Sequence, residues 1–141
     1  MKKIWLLALT CVTIVACSDD KAEEKKSMDG ILATHDKVMA AEDKAMTNKI
    51  QIDSLLKLDK FAPQDSAALK AEFRTQSSNL KTADEAMEDW MHKFDPDYKG
   101  KSHADVMEYL NTQNIQINKI DSQLNSSIDL STKALAKYKQ Q

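Results

Sequence analysis

Apolar positions along the chain recur at helical spacing in three stretches, and the breakers fall between them. In the middle stretch Leu69, Phe73, Gln76, Leu80, Ala83, Met87, Trp90 and Phe94 follow one another by alternating steps of four and three. That is the seam of a helix packed in a bundle, sustained over several heptads. Pro63 suits the first turn of this helix, with Asp65 placed to complement the helix dipole. Phe94 closes it, because Asp95 precedes Pro96 and a residue before proline avoids the helical region. The last stretch opens at Ser102, an N-cap with Asp105 at capping-box spacing. Its seam is Val106, Leu110, Gln113, Ile117, Ile120, Leu124 and Ser127, continued by Leu135 and Tyr138. The first stretch is broader: Met28, Ile31, Leu32, Val38, Met39, Met46, Ile50 and Leu56 are assigned to one side, with His35, Glu42 and Lys49 on or near it.

These patterns predict an all-α fold: an antiparallel, coiled-coil-like three-helix bundle over residues 28–141, with helices at about 28–60, 64–94 and 102–139. Short connections make consecutive helices antiparallel neighbours. A long, flat coiled coil is the competing architecture. The seams carry Gln76, Gln113, Ser127 and Ser131, so the core is thin for its length, and polar seam positions fix register or wait for a partner helix.

The N-terminus is patterned differently. Lys2 and Lys3 precede an apolar run, Ile4 to Ala16, which as a helix rises only about 20 Å against the roughly 30 Å of a bilayer core. This predicts a cleaved signal peptide over 1–16. Ile14-Val15-Ala16-Cys17 resembles a lipobox, which assigns Cys17 as the lipidation site and anchors the mature chain to a membrane. Residues 17–27 then form a lipidated cysteine and a flexible, solvated tether, since Ser18 to Ser27 (SDDKAEEKKS) holds no apolar side chain larger than alanine. Ser18 after the cysteine resembles the outer-membrane sorting pattern. Ser18-Asp19-Asp20 resembles the export signal of surface lipoproteins in Bacteroidota, which extends the expectation to surface display.

Composition adds exclusions. The 141 residues carry 20 basic and 22 acidic side chains, a net charge of -2, and loss of Lys2 and Lys3 takes it to -4. Without a basic stripe, nucleic acid is not an expected partner. Two glycines and two prolines suit long helices. Cys11 leaves with the signal peptide, so no disulfide is expected.

No Gly-rich phosphate loop, HExxH, CxxC or GxSxG pattern is present, and the carboxylates are spread over polar faces. The chain is therefore expected to be non-enzymatic, with no cofactor and no small-molecule ligand. Asp89, Glu88 and His92 supply at most half of one motif of the two that a di-metal carboxylate bundle needs. His92 and His103 are assigned to solvent. Two sets remain as candidate sites. His35, Met39, Met87 and Met91 are the metal candidates, because thioether and imidazole select Cu(I); the bland alternative is that Met fills core gaps. Trp90, Phe94 and Tyr98, within WMHKFDPDYKG, are either an interaction patch or a cap on the bundle end.

His35-Asp36-Lys37-Val38-Met39 and Ala83 to Tyr98 (ADEAMEDWMHKFDPDY) resemble small Bacteroidota lipoproteins commonly labelled "viral A-type inclusion protein". The likeness covers most of the mature chain and implies a helical outer-membrane lipoprotein of the cell envelope, without an activity to carry onto residues. The expected partners are the membrane, through lipid on Cys17, and either another envelope protein or a second copy of the chain.

Overall fold

The computed structural model describes residues 15–58 and 66–139. Among them are three helices, α1 (Val15–Leu58), α2 (Ser66–Lys93) and α3 (His103–Lys139), and no strand. Each helix packs on the other two, and the contact between α1 and α3 is the most extensive. The fold is an all-α three-helix bundle.

The register can be read from polar pairs. Lys37 Nζ donates to Asp121 at 2.7 Å and Asn48 Nδ2 to Thr132 Oγ1 at 2.9 Å. Both pairs span 84 positions, so α1 and α3 run parallel with no slip between these levels. α2 runs the other way: Asp53 of α1 accepts from Ser77 at 2.5 Å, and nearer the α1 N-terminus His35 lies on Trp90.

The seams predicted for α2 and α3 are the buried ones. Leu69, Phe73, Gln76, Leu80, Ala83, Met87 and Trp90 are buried on α2, and Phe94 packs half-buried just beyond it. On α3, Val106, Leu110, Gln113, Ile117, Ile120, Leu124, Ser127, Ser131, Ala134 and Leu135 are buried. The predicted cap is present too: Asp105 N–H donates to Ser102 Oγ at 3.2 Å, and that hydroxyl donates to Asp105 Oδ2 at 2.7 Å.

α1 departs from expectation twice. Its core row is Ile31, Val38, Ala45 and Ile52, each seven residues from the next. Leu32, Met39, Met46 and Ile50, assigned to the core side, are instead 44%, 38%, 51% and 57% exposed. Two apolar rows one residue apart sit about 100° apart around a helix. Only one can face α2 and α3, and the row with the β-branched residues does. Second, residues 18–27, predicted to be a flexible tether, continue α1. Lys, Glu and Ala are good helix formers. Extending a helix already nucleated downstream costs little, and Lys21–Glu24 and Lys25–Asp29 pairs support the extension. The helix boundaries otherwise lie within two residues of those predicted. Pro63, Asp65 and residues 1–14, which hold most of the expected signal peptide, lie outside the described residues.

The thin core is stitched by a polar layer. Asn48 is 1% exposed, and its amide donates to Ser131 Oγ at 2.8 Å, to Thr132 Oγ1, and to Ile128 O at 3.3 Å. Gln76 is buried, and its Oε1 has no partner among the described residues. These two amides should respond oppositely to substitution. Asn48→Ala is expected to lower unfolding stability in urea by about 1–3 kcal/mol. Gln76→Met, which keeps length and volume and removes the stranded oxygen, is expected to raise it by about 1 kcal/mol.

Candidate functional site

The densest grouping of the residues singled out above is the bundle end formed by the α2–α3 connection, which packs beside the first turns of α1. Asp95-Pro96 stops α2, but Phe94 N–H still reaches Trp90 O at 2.9 Å, so the aromatic side chains leave the helix in stacked order. The Trp90 and Phe94 ring centroids are 4.8 Å apart and those of Phe94 and Tyr109 6.3 Å. Lys101 Nζ sits over the Tyr109 ring, 5.4 Å from its centroid. The connection is then tied down from outside. Tyr109 Oη accepts from Asp95 N–H at 2.8 Å, and Asp95 and Asp97 side chains accept from the backbone N–H groups two residues on. Gly100, at φ 81°, makes the final turn in a conformation that a side chain would strain.

This arrangement decides what the aromatic trio does. Trp90 is 6% exposed, while Phe94 and Tyr98 are half-buried against the core. They close the bundle end and do not form an exposed interaction patch. Trp90 Nε1 is buried with no acceptor, so the indole is held by its area and its stacking.

The soft-metal candidates are divided. Met87 is a core residue, 1% exposed. Met39 and Met91 are exposed, and His35 is half-buried. The His35 ring is occupied twice: Nδ1 pairs with Asp36 at 3.0 Å, and its face lies 6.1 Å from Trp90. A soft-metal site at this place has to be made from His35, Met39 and Met91 without Met87. Among the described residues no group of three or more His, Cys, Asp or Glu side chains is arranged to hold a metal ion.

Two sites were not anticipated. The first is the exposed row Leu32, Met39 and Met46, seven residues apart along α1, with Ile50 one turn further. The strict repeat was visible, but it ran beside a better one. The second is a charge cluster. Glu24 is buried at 4% exposed, with its carboxylate between Lys21 Nζ at 2.9 Å and His103 Nδ1 at 3.0 Å. His103 Nε2 faces Glu23 at 3.6 Å and Asp20 at 3.7 Å. His103, predicted to be exposed, is half-buried and faced by three carboxylates from α1. Glu24 stands seven residues before Ile31, on the core row itself, and this was its one legible sign. Its partner lies 79 positions away, beyond the reach of any pattern. His92 is where it was expected, in solvent, 3.9 Å from Glu88.

Glu42 is held above the usual carboxylate range, first by partial burial and then by the negative charge of Asp84. A carboxyl of raised pKa is easier to protonate folded than unfolded, so its ionised form weakens the fold. It faces the rim of the α1–α2 seam, where Met46, Lys49, Leu80 and Asp84 leave a small pocket.

No family model, curated protein or solved structure matches this chain.

Tyr109→Phe tests the end-cap assignment, because it keeps the ring stack and removes only the acceptor for Asp95. It is expected to cost about 0.5–1.5 kcal/mol and to speed amide exchange at Asp95 and its neighbours. Unchanged exchange there would mean that the stack alone holds the connection.

Proposed function

We propose that this protein is a lipid-anchored helical protein of the cell envelope, without catalytic activity, whose bundle presents an apolar helix face to another protein or to a second copy of itself. The observation that carries the binding half is the exposed row Leu32, Met39 and Met46 on α1. Isolated exposed apolar residues are ordinary; a heptad-spaced series along a helix that already has its core row is the pattern of a second seam. The anchoring half rests on Lys2-Lys3, the short apolar run and Ile14-Val15-Ala16-Cys17. No described helix is long and apolar enough to cross a membrane, so attachment would fall to the lipid on Cys17.

The two halves fit one orientation. α1 begins at Val15, so the proposed lipid site is part of the helix that enters the bundle. Lipid at that end would turn the α2–α3 connection toward the bilayer and send the opposite end of the bundle outward. The second seam would then stand along the side of the bundle, open to neighbours in the same membrane.

Each half has its own test. Labelling cells with palmitate should mark the wild type and not Cys17→Ser, and the variant should move to the soluble fraction. A photo-reactive residue in place of Met39 or Met46 should give a covalent adduct in intact cells, while one at exposed Glu108 should not. Adducts that are equally strong at all three positions, or absent from all, would refute the second seam.

A further inference from the structure

We propose that His103 and the carboxylates Asp20, Glu23 and Glu24 form a pH-operated latch that fastens the N-terminal stem of α1, residues 19–27, to the start of α3. The stem needs such a device. From Asp19 to Ser27 it has no apolar side chain larger than Ala22, so apolar burial cannot hold it against the bundle. Yet Glu24 is as buried as a core residue. A carboxylate so enclosed is costly unless its oxygens are bonded. Its two oxygens are taken separately, Oε2 by Lys21 from the same helix and Oε1 by His103. Of these two bonds the second crosses from the stem to another helix, and among the described residues it and the longer Asp20 and Glu23 contacts all converge on His103.

The surroundings make that bond sensitive to charge. From α1, Asp20, Glu23 and Glu24 face the imidazole, and Lys21 stands on the far side of Glu24. On its own element, Asp105 is engaged by Ser102, and Lys101 is over Tyr109. Among the described residues no group of α2 contributes to the electrostatics of His103. A protonated ring is therefore met by three negative charges, and it offsets their mutual repulsion. The positive end of the α3 dipole opposes the cation, and the carboxylates outweigh it. His103 is raised above the ordinary histidine value of 6.5, chiefly by its hydrogen bond to Glu24. Glu24 is lowered below 4.5, chiefly by the same bond.

The signs define one window. A histidine raised on folding contributes stability that is complete below its unfolded value and is lost as pH rises through the folded value. A carboxylate lowered on folding contributes stability present above its unfolded value and lost as pH falls through the folded one. The latch is closed from about 4.5 to about 6.5 and opens above that, once His103 loses its proton. Neutral imidazole no longer offsets the repulsion among the three carboxylates, and the stem loosens from the start of α3. If Cys17 carries lipid, which rests on the function proposed above, the latch sets whether the bundle stands fixed over the bilayer or swings from it.

The test is hydrogen exchange of the full chain, purified in detergent from its native host, between pH 5.5 and 9 with rates corrected for intrinsic exchange. Protection of amides 21–27 should be high at pH 5.5 and fall as the pH passes the His103 titration, by at most about tenfold per pH unit, the limit for one proton. Amides of Phe73 to Met87 should not change, which shows that the bundle stays folded. His103→Gln should leave the stem unprotected throughout, and His103→Lys should keep it protected up to pH 9. A stem equally protected at every pH, one unprotected at pH 5.5, or the wild-type fall retained in His103→Lys would each overturn the latch. Intact mass of the same sample reports cleavage and lipid on Cys17, so failure of the anchor and failure of the latch are seen separately.

Discussion

The bundle depends on one buried amide. The rows that α1 and α3 bring together are both simple apolar repeats, and two such rows slid by a heptad would still bury apolar surface. Asn48 removes that freedom. Its amide sits at 1% exposure among Ser131, Thr132 and the Ile128 carbonyl, and it shares its two N–H groups among these acceptors of α3. Slipping the register would strand a buried amide, a cost on the order of 1–3 kcal/mol, against net gains of about 1 kcal/mol for each ordinary hydrogen bond. Specificity of register thus comes from a polar group and not from the apolar rows. Everything that depends on the height of α1 against α3 follows from this, including the meeting of Lys37 with Asp121 and of Glu24 with His103.

Much of the architecture was legible, because α2 and α3 each hold one apolar row. A single row determines a single buried face, and the alternation of four and three from Leu69 to Phe94 and from Val106 to Ser127 named that face residue by residue. α1 has two rows, Ile31-Val38-Ala45-Ile52 and Leu32-Met39-Met46. Hydrophobicity does not rank them, since methionine and leucine are as apolar as isoleucine and valine. What separates them is tertiary: the presence of Asn48 and Glu24 on or beside the first row, whose partners lie about 80 positions away. The stem is illegible for a related reason. Its composition lacks large apolar residues, but helix continuation and a charge-assisted contact suffice to order such a segment beside a folded neighbour.

The site residues divide along the same line. Met87, Trp90 and Phe94 are legible because they lie on the seam, and the seam is also why they serve packing: a residue on the one apolar row of its helix is drawn into the core. The positions left for function are those that the core does not need. Leu32, Met39 and Met46 remain exposed because α2 and α3 already occupy the other face of α1. His103 remains titratable because it caps the bundle at a helix start, with carboxylates but no core side chains to close over it.

A helix that begins at the proposed anchor also changes what an anchor can do. A flexible tether decouples a domain from its membrane, so that lipid supplies address alone. A helical stem passes orientation as well, since the two helical turns from Cys17 to Glu24 rise only about 10 Å and fix the direction in which the bundle leaves. Orientation matters most for a surface that runs along one side of a bundle. If the domain tumbles freely, such a row meets neighbours in the same bilayer at random angles. If the domain stands upright, two copies or two partners meet side by side in the geometry that helices need to pack. On this argument the polar stem and the apolar row belong to one mechanism. The stem has no apolar side chain of its own to contribute to binding, but its docking determines whether the row beyond it is presented in a usable direction.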